Sequence, residues 1–258
     1  MYNINNRTGE DAHERSDYMA TRAEILDWNV AKEHLTKRLY DFWEIREVEK
    51  QIGDRLCASR FYETGLFATY QLAFSDDKAR EVSYYYITQA LRKHWNVTEA
   101  DLEAQLQENL AKMNFRFTEV NDLRHEIRRT YCTESVPNLQ KRADYKIIRV
   151  MCVNRLYHNS DVSFIFSKKF KENVKKTLDS DCYVLLPGKS TILLLEDTVT
   201  DSELYEIRKT INYENVIKTE KRHRHMTLDA CIYQYKDGEL CIKLLDADDF
   251  EDHTGDVI

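Results

Sequence analysis

The sequence predicts an α+β protein: an N-terminal helical segment, a helix-flanked hairpin, and a C-terminal ferredoxin-like β-α-β-β-α-β sandwich. Three observations carry this prediction. Residues 182–186 and 191–195 are apolar runs of strand length without polar alternation, so both faces of each should be buried. Strand-length runs and amphipathic helical stretches alternate on either side of that pair. Only 6 Gly and 2 Pro occur in 258 residues, which leaves little material for turns and favours helix.

Residues 1–15 are polar and read as a disordered lead-in. Residues 16–140 read as a helical region with one hairpin. Over residues 16–55, Leu35, Leu39, Phe42, Trp43, Val48, Ile52 and Leu56 return at spacings near three and four, the signature of one helix face. Asp27 or Asn29 can cap a second helix after a break. Residues 66–74 and 81–87 are rich in aromatic and β-branched types and predict a hairpin. Its Tyr84-Tyr85-Tyr86 triplet must point to both faces of a strand. A short helix over 88–95 precedes one opened by Thr98-Glu99-Ala100-Asp101, with acids in its first turn.

Residues 141–245 read as the ferredoxin-like domain. A strand at 145–153 and an apolar run at 162–166 precede an amphipathic helix over 167–178. Phe170, Val174 and Leu178 line the inner face of that helix, and Lys168, Lys169, Lys171, Lys175 and Lys176 its outer one. The apolar pair follows as a hairpin turning at Pro187-Gly188. Thr200-x-x-Glu203 is a capping box that opens the next helix. Residues 231–235 and 239–244 form a closing hairpin around Lys236-Asp237-Gly238, and residues 246–258 are an acidic tail.

Net charge is −7, yet residues 116–176 hold 14 Lys/Arg against 7 Asp/Glu. A basic middle in an otherwise acidic chain fits an acidic partner or nucleic acid, as well as ordinary solvated helix faces. Sixteen Tyr and ten Phe fit either a core or a partner surface. Residues that could meet a partner are Tyr84, Tyr85, Arg124, Arg128, Arg129, Lys168, Lys169, Lys175 and Lys176.

No apolar run approaches the ~18 residues of a membrane span and the N-terminus is polar, so a cytoplasmic protein that avoids the membrane is expected. The six cysteines are scattered, with no C-x-x-C pair, and read as reduced core residues. Gly188-Lys189-Ser190-Thr191 mimics the end of a phosphate-binding loop. The full pattern requires Gly at position 183, which is Tyr, and a helix after the lysine, where a strand is predicted. His223-Arg224-His225 near Asp229 sits among Lys221 and Arg222, which repel a cation. Asp246-x-Asp248-Asp249 places Phe250 at a calcium-ligand position. No nucleophile elbow is present. Catalytic, metal and cofactor residues are therefore expected to be absent.

Trp95-Asn-Val-Thr-Glu99-Ala-Asp-Leu102 resembles a segment of an uncharacterised Firmicutes family, domain of unknown function 5688, in which a Trp-Gly-Ile/Val-Ser/Thr-x-Glu-Glu-Leu run opens a helix. Residues 183–196 are similar to its Tyr-Ile-Leu-Pro-Ser-Ser-x-His-Glu-Val-Leu-Leu-Leu-Pro block. Ile211-Asn212-Tyr213-Glu214-Asn215-Val216 and Ile232-Tyr233-x-Tyr235 resemble the block that ends such chains. The resemblance spans roughly residues 45–237 and departs at Leu186-Pro187-Gly188-Lys189-Ser190-Thr191, which lacks the family's His and Glu. The family's leading region also gives way here to residues 16–55. The resemblance implies an origin in gut bacteria and their mobile elements.

The function expected is a non-enzymatic interaction module that binds a host or bacterial protein. A phage or mobile-element inhibitor of host defence, for example an anti-CRISPR, fits that expectation. A nucleic-acid-binding protein using the basic middle is the alternative, and an enzyme of unknown reaction the third. If Gly188-Lys189 is a turn and no phosphate cradle, Lys189→Ala leaves thermal stability and calorimetric ATP response unchanged; ATP binding that Lys189→Ala abolishes would contradict the reading.

Overall fold

The structure is a computed structural model that describes residues 22–60, 66–76, 81–123, 125–126, 145–152, 162–178, 181–188, 191–220, 232–237 and 239–243. Two short helices come first, α1 (Arg22–Leu26) and α2 (Trp28–Ala31). Asp27 caps the second by accepting from the Asn29 amide at 2.9 Å. After a 3-10 turn at Lys32–His34, the chain runs into a strand, β1 (Leu35–Asp41), before helix resumes in α3 (Phe42–Ile52). The helical pattern expected over residues 16–55, with a break near Asp27, is therefore interrupted again by a strand. Leu35 and Leu39 stand four apart, a spacing in phase with a strand's period of two as well as with a helical turn.

Tertiary pairing decides between the two. After a three-residue strand, β2 (Ala58–Arg60), comes the long β3 (Leu66–Asp76), which takes β1 as an antiparallel neighbour from Leu35↔Leu72 to Asp41↔Leu66. On its other edge β3 carries β2 and then β4 (Glu81–Tyr86), end to end, so the expected hairpin of β3 and β4 sits in a four-stranded sheet. Thr88 caps α4 (Gln89–His94), and Asn96 at φ 56° turns the chain out of it. Thr98 and Asp101 close a reciprocal capping box on α5 (Glu99–Ala111), with bonds of 3.2 and 2.7 Å.

The second sheet has six strands. β5 (Phe115–Val120) forms one edge beside β6 (Ile147–Cys152), so a strand that precedes residue 141 is hydrogen-bonded into the C-terminal sheet. A 3-10 turn at Val162–Phe166 leads into α6 (Lys168–Leu178). Then come β7 (Cys182–Gly188), β8 (Thr191–Glu196), α7 (Asp201–Glu220), β9 (Ile232–Lys236) and β10 (Glu239–Lys243). Thr200 and Glu203 close the expected capping box at the start of α7.

The α+β class and the order β-α-β-β-α-β from β6 to β9 are as expected, but the strands are not laid out in the ferredoxin-like way. That arrangement seats the last strand beside the first and both helices on one face. Here the order across the sheet is β10-β9-β7-β8-β6-β5, with β9 beside β7. The crossovers from β6 to β7 and from β8 to β9 advance the same way across the sheet from strands of opposite direction. With the right-handed sense such connections favour, their helices fall on opposite faces. Phe170 and Val174 of α6 pack with Ile148, Val184 and Leu194, while Leu204, Ile207 and Ile211 of α7 pack with Ile147, Leu185 and Leu193.

The first face of this sheet shares one core with the four-stranded sheet, including Leu35, Leu39 and Leu72 of its strands and Leu102, Leu106 and Leu110 of α5. Pro187 and Gly188, the expected turn, are instead the last two residues of β7. Gly188 pairs with Thr191 after a register irregularity that begins past Leu185, where proline removes a ladder donor. A strand, not a helix, follows at Thr191, as a phosphate-binding loop would not allow. Burial pushes the Cys57 thiol up to about 11 and the Cys182 thiol up to about 12, and both behave as small core residues.

Leu194 has no exposed surface and lies on a strand paired on both sides. Leu194→Asp buries an unpaired carboxylate at a cost of about 3–5 kcal/mol or more. Circular dichroism on heating is expected to show no cooperative transition; a wild-type melting curve would contradict the two-sided burial.

Candidate interaction surface

Helix α3 begins at the end of β1 and lies over the face of the first sheet turned away from the shared core. Ile45 and Val48 are buried there with Tyr40 and Leu56, and Ile52, Phe67 and Tyr86 pack against them. Those spacings of three and four define the inner face of α3. Trp43 sits two residues before Ile45, about 200° around the helix, and so points outward. It is 77% exposed, the most exposed large apolar side chain among the described residues. Phe42, at the border, is 39% exposed. The two rings meet edge-on at 5.4 Å, and Phe42 also lies 5.9 Å from Phe67. The Arg46 guanidinium is 5.3 Å from the centre of the Phe42 ring and reaches Glu49 at 3.7 Å, leaving much of its surface to solvent. Ala58 and Ser59 of the short edge strand β2 are exposed as well.

The residues expected to meet a partner are distributed differently. Tyr85 is buried and packs edge-on against Phe74 at 5.7 Å, so it offers no surface. Tyr84, one step along β4, faces the other way, half-buried beneath the Arg38 guanidinium at 4.1 Å. Arg124, Arg128 and Arg129 lie outside the described residues, as do the His223-Arg224-His225 and Asp246-x-Asp248-Asp249 segments. Lys168, Lys175 and Lys176 are exposed on α6. Lys169 is turned inward: its ammonium donates to the Ala111 and Met113 carbonyls at 3.0 and 2.7 Å, closing the end of α5. Lys171 donates to Glu239 at 3.3 Å. The basic stripe read from the sequence is thus interrupted by Lys169, committed to an internal contact, while Lys171 keeps a surface pair with an exposed carboxylate.

One ionisable cluster is built into the junction of β1, β3 and α5. The Lys37 ammonium donates to Glu103 Oε2 at 3.1 Å and to the Tyr70 hydroxyl at 3.3 Å, and the Tyr70 hydroxyl donates to the same oxygen at 2.7 Å. Gln107 donates to Glu103 Oε1 at 2.9 Å and to the Phe166 carbonyl at 2.9 Å. The ammonium also lies 4.4 Å from the Tyr70 ring centre and 5.2 Å from that of Phe166. Burial drives the Tyr70 phenol far above its ordinary value, and its bond to the adjacent Glu103 adds to this. Burial alone would raise the Glu103 carboxyl, but the bonds from Tyr70 and Gln107 and the Lys37 charge outweigh it and hold the group below the usual carboxylate range. Tyr70 thus keeps its proton while Glu103 stays ionised. Among the described residues no three His, Cys, Asp or Glu side chains converge as metal ligands would.

Comparison with known proteins finds no match among family models, curated proteins or solved structures. The resemblance to domain of unknown function 5688 stands on the quoted residues alone.

Removing the Glu103 charge leaves Lys37 buried with only a phenol to pair it. Glu103→Gln is expected to destabilise by about 1–3 kcal/mol at pH 7, measured by urea unfolding. Because the folded-state pKa of Glu103 is lowered, its contribution is complete above the ordinary carboxylate range and disappears as pH falls through the folded value. The gap between the two proteins therefore closes in acid, and a gap that widened there would contradict this sign.

Proposed function

We propose that this chain is a cytosolic protein-interaction module that recognises another protein through the surface of α3. The exposed Trp43 carries the proposal. Tryptophan and arginine are the side chains most often found where binding energy concentrates, and Trp43 and Arg46 stand on a helix whose inner face is already satisfied. Nothing in the folding of α3 calls for tryptophan at its outer face. No helix among the described residues is long and apolar enough to cross a membrane.

The origin implied by the resemblance makes a host protein the natural partner, a component of a CRISPR defence system among the first to test. Nucleic-acid binding has less support, because Lys169 is spent on the carbonyls at the end of α5. Trp43→Ala should preserve the melting temperature, since the ring is largely exposed, and cut affinity for the partner by about tenfold or more, as central tryptophans do. The readout is affinity capture from a Firmicutes lysate with wild-type and variant side by side. A partner retained equally by both would remove α3 from the interface.

A further inference from the structure

A concave site lies on the opposite side of the first sheet from Trp43, where α5, the start of α6 and β10 meet. It is a cavity of about 230 Å³. Ile165, Phe166 and Leu240 line it with apolar surface, and Glu103, Gln107, Lys168 and Lys171 with polar groups. The volume falls below the ~300–1,000 Å³ of sites for drug-sized ligands, so only a small molecule fits.

We propose that this cavity binds a small organic anion carrying an apolar body and a hydroxyl. The charge balance admits an anion. Glu103 is neutralised by Lys37, and Lys171 pairs with Glu239, an exposed partner in a pair worth about 0–1 kcal/mol. Lys168 is exposed, and no ion pair among the described residues engages its ammonium. A carboxylate or phosphate entering here meets two ammonium groups three residues apart on one helix, whereas a cation meets their repulsion.

The Glu103 and Gln107 side chains are fixed before any ligand arrives. Gln107 donates to Glu103 and to the Phe166 carbonyl and accepts from the Lys168 amide at 3.3 Å, so its rotamer is set by three partners. Glu103 Oε2 is filled by Lys37 and Tyr70, but among the described residues Oε1 accepts from Gln107 alone and keeps a lone pair for a ligand hydroxyl. Half-buried Phe166 and buried Leu240 supply the apolar contact. The site does not depend on the α3 surface, and neither reading falls with the other.

The probe is 4-hydroxybenzoate, which carries a carboxylate, a ring and a hydroxyl in line, titrated by calorimetry into the full chain. Saturable one-site binding is expected, with affinity lower by about tenfold in Lys168→Glu and unchanged in Lys176→Glu, which makes the same charge change away from the cavity. Benzoate, lacking the hydroxyl, should bind more weakly than the probe. Phenyl phosphate in place of the carboxylate tells which anion the lysines prefer, and either result supports the site. All three lysine forms should melt alike, because both side chains are exposed. No saturable binding up to roughly 10 mM would overturn the proposal, as would equal losses in the two lysine variants, which would make the effect one of net charge.

Discussion

The hairpin of β7 and β8 has no polar side. Residues Cys182 to Leu186 and Ile192 to Leu195 are all buried, so each face of the sheet must be covered by a separate layer. Covering one face is the task of α7. The other face is covered by α6, and the covering extends beyond it: Phe170 of α6 touches the rings of Phe115, Phe117, Phe164 and Tyr235 within 5.2–6.2 Å. Phe164 belongs to the 3-10 turn that also meets β1 and α5. One apolar demand at the centre thus draws the N-terminal sheet into the same core. At about 1.5–3 kcal/mol for each fully buried aliphatic side chain, this layer outweighs any single polar contact in the molecule.

Polar contacts then fix how the layers meet. Lys169 closes α5, Gln107 holds the 3-10 turn and the start of α6, and Lys37 with Tyr70 and Glu103 locks β1 and β3 to α5. On the far side of the second sheet, Arg149 reaches a nearly fully buried Glu126 at 3.1 Å. These pairs cost desolvation and contribute little net stability, but breaking one strands a buried charge, and so they select a single arrangement of layers. The α3 surface lies outside this system. Its inner residues satisfy a small satellite core, and the aromatic pair on its rim is left to solvent.

Local chemistry made much of the fold legible. The Thr98 and Thr200 capping boxes, the β3–β4 hairpin, the amphipathic α6 and the two-faced central hairpin all follow from neighbours in sequence. Three features did not. A spacing of four hid β1 inside a helical pattern, because Leu35 and Leu39 satisfy both periods. The edge joined by β9 depends on long-range packing that element order does not encode. The partners of Lys169 and Lys171 lie 56 to 68 residues away, so lysines that read as a solvated face reach across to other elements. The exposed aromatic surface was within reach. Adjacent residues Phe42 and Trp43 cannot both face inward on a helix whose inner face includes Ile45, a residue that grouping the two by spacing alone leaves out.

The central claim is that two-sided burial of β7 and β8 organises everything around it. Amide hydrogen exchange followed by mass spectrometry addresses it directly, because exchange rates report the opening free energy of each segment. Amides of residues 183–186 and 192–195 are expected to exchange only by global unfolding, with those of α3 opening well before them. Faster exchange in β7 and β8 than in β1 and β3 would contradict the account, since the N-terminal sheet would then be the more stable body and the central hairpin its dependant.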